Sequence, residues 1–150
     1  MIRYSSEVTI DRPPRVVFDA LLDPNRYGEW TPMVDMEFDG DGPPRLGTTG
    51  RFRLSEGPVK DTLETVIVEL EPERRIVFRT THPALTWLAT IDLRPAGERT
   101  HVTYGGEMAL HGWKRLLEPI IAAEVKTGEA REIEKLKSIL EAERPNLVPA

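Results

Sequence analysis

The stretch Val8–Pro32, VTIDRPPRVVFDALLDPNRYGEWTP, carries the punctuation from which the rest of the chain is read. Tyr4, Ser6, Val8 and Ile10 alternate with Arg3, Ser5, Glu7 and Thr9, the period-two signature of a half-buried strand ending at Ile10. Pro14 suits the first turn of a helix, where its missing N–H costs nothing. Val17, Phe18, Leu21 and Leu22 give that helix one apolar side. No Ser, Thr or Asn precedes Pro14, so its start is weakly capped. Asp23-Pro24 is a better capped start for a second short helix, which closes on Trp30-Thr31-Pro32.

Beyond this stretch the pattern changes to strands. Val34, Met36 and Phe38 alternate before the Asp39-Gly40-Asp41-Gly42-Pro43-Pro44 turn, and Phe52 and Leu54 alternate with Arg51 and Arg53. Val66, Val68 and Leu70 mark the next strand, followed by Ile76, Phe78 and Thr80 and a break at His82-Pro83. Leu85, Trp87, Ala89, Ile91 and Leu93 alternate cleanly, as do Val102, Tyr104, Gly106 and Met108 after the Pro95-Ala96-Gly97 turn. Turn signals at short intervals predict sequential antiparallel hairpins. From about Trp113 to Glu143 apolar residues recur at near-helical spacing, at Leu117, Ile121 and Val125 and then Ile133, Leu136 and Leu140. Pro119 places the start of the regular helix near Glu118, or a kink there. Glu132–Lys135 and Glu134–Lys137 are expected to pair on its wet face, and Arg144-Pro145 to end it, leaving a tail from about 145.

The 150 residues are read as a single domain, large enough to bury about 68–70% of its unfolded surface. With no cysteine, disulfides, thiolate metal sites and cysteine nucleophiles are excluded together. A net charge of −5 with no Lys/Arg block argues against nucleic acid as a partner. No signal-peptide pattern and no apolar run of membrane-spanning length is present, which predicts a cytoplasmic protein without integral membrane association. The sequence carries no signal for oligomeric state.

The element order, the block Ile10-Asp11-Arg12-Pro13-Pro14-Arg15-Val16-Val17-Phe18, the block Tyr27-Gly28-Glu29-Trp30-Thr31-Pro32, Gly40-Asp41-Gly42 followed by Gly47, and the ending Leu136-Lys137-Ser138-Ile139-Leu140-Glu141 resemble one family. It is the polyketide cyclase/dehydrase and lipid-transport group of the START/Bet v 1-like (SRPBCC) superfamily. The resemblance implies an α+β helix-grip fold: a curved antiparallel seven-stranded sheet wrapped around a long C-terminal helix, with two short helices after the first strand. It also implies a cavity between sheet and helix. Members bind lipids, polyketides, hormones or quinones, and some catalyse aromatic ring closure or dehydration.

The expected ligand is therefore a small hydrophobic molecule, with no cofactor and no metal. Trp30, Phe52, Phe78, Trp87, Met108, Leu117 and Ile121 are the expected apolar lining, with Ser6, His82 and Tyr104 as polar groups that orient the ligand. For Phe78 the alternative is ordinary core packing, whereas Trp87 and Tyr104 carry polar tips that need partners when buried. His82 shares the phase of Phe78 and Thr80 and has a side chain suited to acid/base chemistry. The reading favoured over that one is a loop histidine beside Pro83. Were the protein an enzyme, a polyketide cyclase, aromatase or dehydratase, His82 and Tyr104 would be its proton carriers. No Gly-x-Ser-x-Gly, His-x-His or His-Glu-x-x-His spacing occurs. Arg51, Arg53, Arg75 and Arg79 are expected on the solvated outer face, and Val8–Pro32 on the lid side of the cavity with Trp30 pointing in. Gly128 either opens space for a ligand or is a tolerated surface glycine. A third possibility, a protein-interaction module, would require a vestigial pocket beside a large exposed apolar patch.

Overall fold

The computed structural model describes residues 1–57 and 59–143. Strand β1 (Ile2–Ile10) is followed by helix α1 (Pro14–Leu22), a 3-10 turn (Pro24–Arg26) and the single-turn helix α2 (Tyr27–Trp30). Six strands come next: β2 (Met33–Phe38), β3 (Thr49–Leu54), β4 (Leu63–Glu71), β5 (Arg75–His82), β6 (Leu85–Ala96) and β7 (Arg99–Leu110). A 3-10 segment (Gly112–Leu117) then leads into helix α3 (Glu118–Ala142). All seven strands form one antiparallel sheet in the order β1-β7-β6-β5-β4-β3-β2. Consecutive hairpins build it from β2 to β7, and β1 returns to pair with β7. The sheet grips α3, which packs along β1. This is the helix-grip arrangement.

Local chemistry explains the short elements. Pro14 opens α1 without a side-chain cap, and Val17, Phe18 and Leu21 are its buried face. The Asp23 carboxylate accepts from the Asn25 N–H at 3.0 Å and so starts the 3-10 turn. Pro119 sits in the first turn of α3, where no N–H is needed, so the regular helix begins at Glu118 and Gly112–Leu117 is a tighter 3-10 lead-in. The helix is strapped at both ends. Near its start the Glu118 carboxylate accepts from the Leu110 N–H at 3.1 Å. Near its end Arg12 donates to the Leu140 carbonyl at 2.9 Å, and the Asp11 N–H donates to Glu141 at 2.8 Å. Arg144, Pro145 and the tail expected from about 145 lie outside the described residues.

Two strands depart from the expected pattern. In β4 the buried phase is Leu63, Thr65 and Ile67, not Val66 and Val68, and a bulge between Ile67 and Glu69 resets the phase further on. In β2 an irregularity between Val34 and Glu37, with Asp35 at φ +55°, disturbs the alternation. Met33 and Met36 consequently both pack against the core. Strict period-two counting cannot register a bulge, because the extra residue inverts the phase of everything after it.

Candidate functional site

The sheet and the first half of α3 enclose a cavity of about 610 Å3 that opens to solvent beside the helix. Its apolar wall comes from Met33, Leu54, Leu85, Trp87 and Met108 on the strands and Ile121 and Val125 on α3. Gly128 also lines it, and a Cβ added there would meet nothing closer than Glu132 Oε2 at 4.0 Å. A deeper recess of about 20 Å3 is bounded by Tyr27, Met36, Phe52, Phe78 and Tyr104, and shares Met33 and Trp87 with the outer chamber. Trp87 and Met33 therefore stand where the two spaces meet. Trp87 is 4% exposed, and the Phe52 ring meets it edge-on at 6.3 Å.

A polar chain runs behind this wall. The Trp87 indole N–H donates to the Tyr4 hydroxyl at 2.8 Å. An indole can only donate, so the Tyr4 oxygen is the acceptor here. Its neighbour is Tyr104, whose ring centroid lies 5.9 Å away and whose hydroxyl lies near Tyr4 and Glu129. Glu129 in turn meets Glu132. Burial drives both tyrosine pKa values well above their ordinary value, and the nearby Glu129 adds to this, so both phenols stay protonated. Gly106 makes the chain possible. It faces Tyr4 across the β1–β7 pairing, and a Cβ there would lie 2.5 Å from the Tyr4 hydroxyl oxygen and 2.7 Å from the Leu88 carbonyl. Gly106→Ala is expected to push Tyr4 off Trp87 and cost about 1–3 kcal/mol. Denaturant titration would show it as a lowered midpoint, and an unchanged midpoint would contradict the contact.

Two carboxyls that the sequence reading did not bring to the site end this chain. Glu132, expected to pair outward with Lys135, lines the cavity with Glu129. The ion pair found along this helix is Lys137–Glu141, at 3.0 Å. Glu129 is 7% exposed, and its Oε2 is buried without a hydrogen-bond partner among the described residues. Burial raises the pKa of both carboxyls, and for Glu132 the neighbouring Glu129 and then Glu56 raise it further. Two adjacent carboxyls, one buried and one half-buried, cannot both ionise cheaply, so the pair retains a proton above the ordinary carboxylate range.

The other expected site residues divide by location. Trp87, Met108 and Ile121 line the outer chamber, and Phe52, Phe78, Trp87 and Tyr104 the inner recess. Trp30 is buried behind the recess, edge-on to Tyr104 at 6.0 Å, with its indole N–H unpartnered among the described residues. Ser6 is half-buried opposite Tyr104 in register but borders neither space. Leu117 belongs to the 3-10 lead-in and borders neither. His82 sits at the β5–β6 hairpin end, where its Nδ1 accepts from the Ala84 N–H at 3.0 Å and Nε2 lies 3.0 Å from Asp61. Those bonds anchor a turn, and His82 lines neither chamber. The Val8–Pro32 segment is not a lid. Tyr27 forms part of the deep floor, and only Pro32, with Met33 just beyond the segment, reaches the outer chamber.

The strand arginines make surface ion pairs: Arg51 with Glu37 and Asp39, Arg53 with Asp35, and Arg75 with Glu69 and Asp92, while Arg79 is exposed. Among the described residues no group of three or more His, Cys, Asp or Glu side chains is arranged to hold a metal ion. No described helix is long and apolar enough to cross a membrane.

A family model described as polyketide cyclase/dehydrase and lipid transport matches residues 1–141. No curated protein matches the chain. Among solved structures, a protein from Thermus thermophilus is similar with a TM-score of 0.75 at 17% identity, covering 95% of this chain and 99% of its own. The Zhui aromatase/cyclase from a Streptomyces species gives a TM-score of 0.73 at 15% identity over 93% of each chain. A Rhizobium loti protein is 27% identical, with a TM-score of 0.64 over 91% of this chain and 94% of its own.

Proposed function

Because the chain belongs to the polyketide cyclase/dehydrase and lipid-transport family, we propose that its cavity binds a small hydrophobic molecule: a lipid, a polyketide or another aromatic or isoprenoid-like compound. The observation that carries this is the chamber itself. At about 610 Å3 it lies within the roughly 300–1,000 Å3 typical of small-molecule pockets. Trp87, Met108, Leu85 and Ile121 would supply affinity by apolar burial. Glu129 and Glu132 would orient the ligand, with Tyr104 and Tyr4 holding Glu129 in place. An interaction module with a vestigial pocket fits less well. Trp113, Leu116 and Ile120 are exposed apolar residues, but the pocket is not vestigial in size.

Gly128→Leu tests the proposal. A leucine there gains about 1 kcal/mol of helix propensity over glycine and projects into open space at the cavity. The variant should be at least as stable as the parent, and should bind a neutral aromatic probe such as 2-naphthylmethanol about tenfold more weakly or worse by calorimetry. Unchanged affinity in the folded variant would sink the assignment.

A second reading, cyclase or dehydratase turnover on a polyketide-like substrate, is favoured by one observation. A carboxyl pair with raised pKa values faces the cavity, as general acid/base chemistry near neutral pH requires. Glu129 and Glu132 would then carry the protons assigned above to His82 and Tyr104. Glu132→Gln separates the two, since a binder loses only part of its affinity for a neutral ligand whereas an enzyme loses turnover by about 10²–10⁴-fold.

A further inference from the structure

The cavity wall is apolar, yet its charged lining is one-sided. Among the described residues Glu56, Glu124, Glu129 and Glu132 line it, against the single cation Arg131. The groups around the Glu129–Glu132 pair offer no balancing charge. Tyr4 on β1 and Tyr104 on β7 are neutral phenols, and Glu56 on the β3–β4 connection is a further acid. On α3 itself the charged neighbours at the cavity are Glu124 and Arg131, both exposed. Glu129 Oε2 meanwhile is a buried acceptor with no donor among the described residues. Leaving such an atom unpaired is costly, and more so when it is charged. A donor entering from the cavity would remove that cost.

From these placements we infer that the cavity selects a hydrophobic amine, whose apolar body lies against Trp87 and Met108 and whose ammonium group seats on Glu129 and Glu132. An ammonium brings the N–H donors that Oε2 lacks and positive charge to a lining in which acids outnumber cations. It would displace the proton the empty pair retains, so binding releases protons to buffer. The indole face of Trp87 adds an attraction available to cations alone. A carboxylate-bearing ligand would meet repulsion from four acids, and a neutral alcohol would gain one hydrogen bond without the charge.

This inference rests on the proposal that the cavity holds a ligand, and three probes of one shape separate the two. Calorimetry at about neutral pH with 2-naphthylmethylamine, 2-naphthylmethanol and 2-naphthoate should rank them in that order. The amine should lead the alcohol by ~10-fold or more. Repeating the amine titration in buffers of different ionisation enthalpy should reveal net proton release. Glu129→Gln and Glu132→Gln should each narrow the lead of the amine over the alcohol to within about threefold, whatever the absolute affinities become. An alcohol that binds as well as the amine, or a preference that survives both substitutions, overturns the inference and leaves the cavity proposal standing. If none of the three binds, both fall. Should the variants fail to fold, the probe ranking and proton count on the parent protein decide the matter.

Discussion

At about pH 5.5 the protein is expected to withstand more denaturant than at about pH 8.5, the reverse of what a typical acidic protein with paired surface carboxylates would show. The cause is the Glu129–Glu132 pair. Burial holds both folded-state pKa values above their ordinary carboxylate level, so the folded chain retains protons that the unfolded chain has lost. The stability this contributes is fully present below the unfolded pKa, about 4.3. It is lost as pH rises through the raised folded values. Each proton held only by the folded state lowers stability by about 1.4 kcal/mol per pH unit of increase. Over three units one retained proton amounts to roughly 4 kcal/mol, an upper figure because it titrates away within the window. Glu118 and Glu141 work the other way. Hydrogen bonds, to the N-terminal ammonium first and then Leu110 for Glu118, and to Asp11 first for Glu141, hold their pKa values low. Their contribution disappears as pH falls through those lowered values, so maximum stability should lie in weak acid. Urea midpoints across the range would check this. Glu129→Gln and Glu132→Gln should flatten the alkaline slope, and a parent midpoint that is flat or rises with pH would contradict the buried pair.

Trp87→Ala should be the most damaging single truncation at the site. Trp87 is 4% exposed, lies between both chambers, and anchors Tyr4 through its indole N–H. Removing it loses the indole burial, leaves the Tyr4 oxygen without its donor and joins two spaces into a larger void. Large-to-small core changes of this kind cost about 3–5 kcal/mol. Trp87→Phe should cost less, because it keeps the apolar wall and loses mainly the hydrogen bond. Guanidinium unfolding of the two variants would report both effects. A loss below about 1 kcal/mol for Trp87→Ala would mean that the wall is not packed as described.

Much of the architecture was legible because it rests on period and punctuation. Alternation in β1, β6 and β7 survives intact in the structure, and Asp23-Pro24 and Pro119 start their elements where proline chemistry places them. The phases of β2 and β4 were not legible, since bulges carry no residue signature strong enough to read ahead of pairing. The carboxyl pair was missed for a different reason. Val125, Glu129, Glu132, Leu136 and Leu140 follow one helical stripe, so two acids interrupt an otherwise apolar face. Local pairing with Lys135 offered a plausible alternative for Glu132, and i,i+3 pairs are worth only a few tenths of a kcal/mol. The stripe was the stronger signal. For His82 the strand phase pointed inward, but a hairpin end frees the side chain to bond its own turn, and Ala84 and Asp61 claim both ring nitrogens.

Native mass spectrometry of gently purified protein tests the ligand-binding cavity most directly. The account predicts a discrete adduct of a few hundred daltons, the size that a chamber of about 610 Å3 admits. The adduct should disappear on denaturation and be absent from Gly128→Leu. A bare chain that also fails to form an adduct with saturating 2-naphthylmethylamine or 2-naphthylmethanol would contradict it.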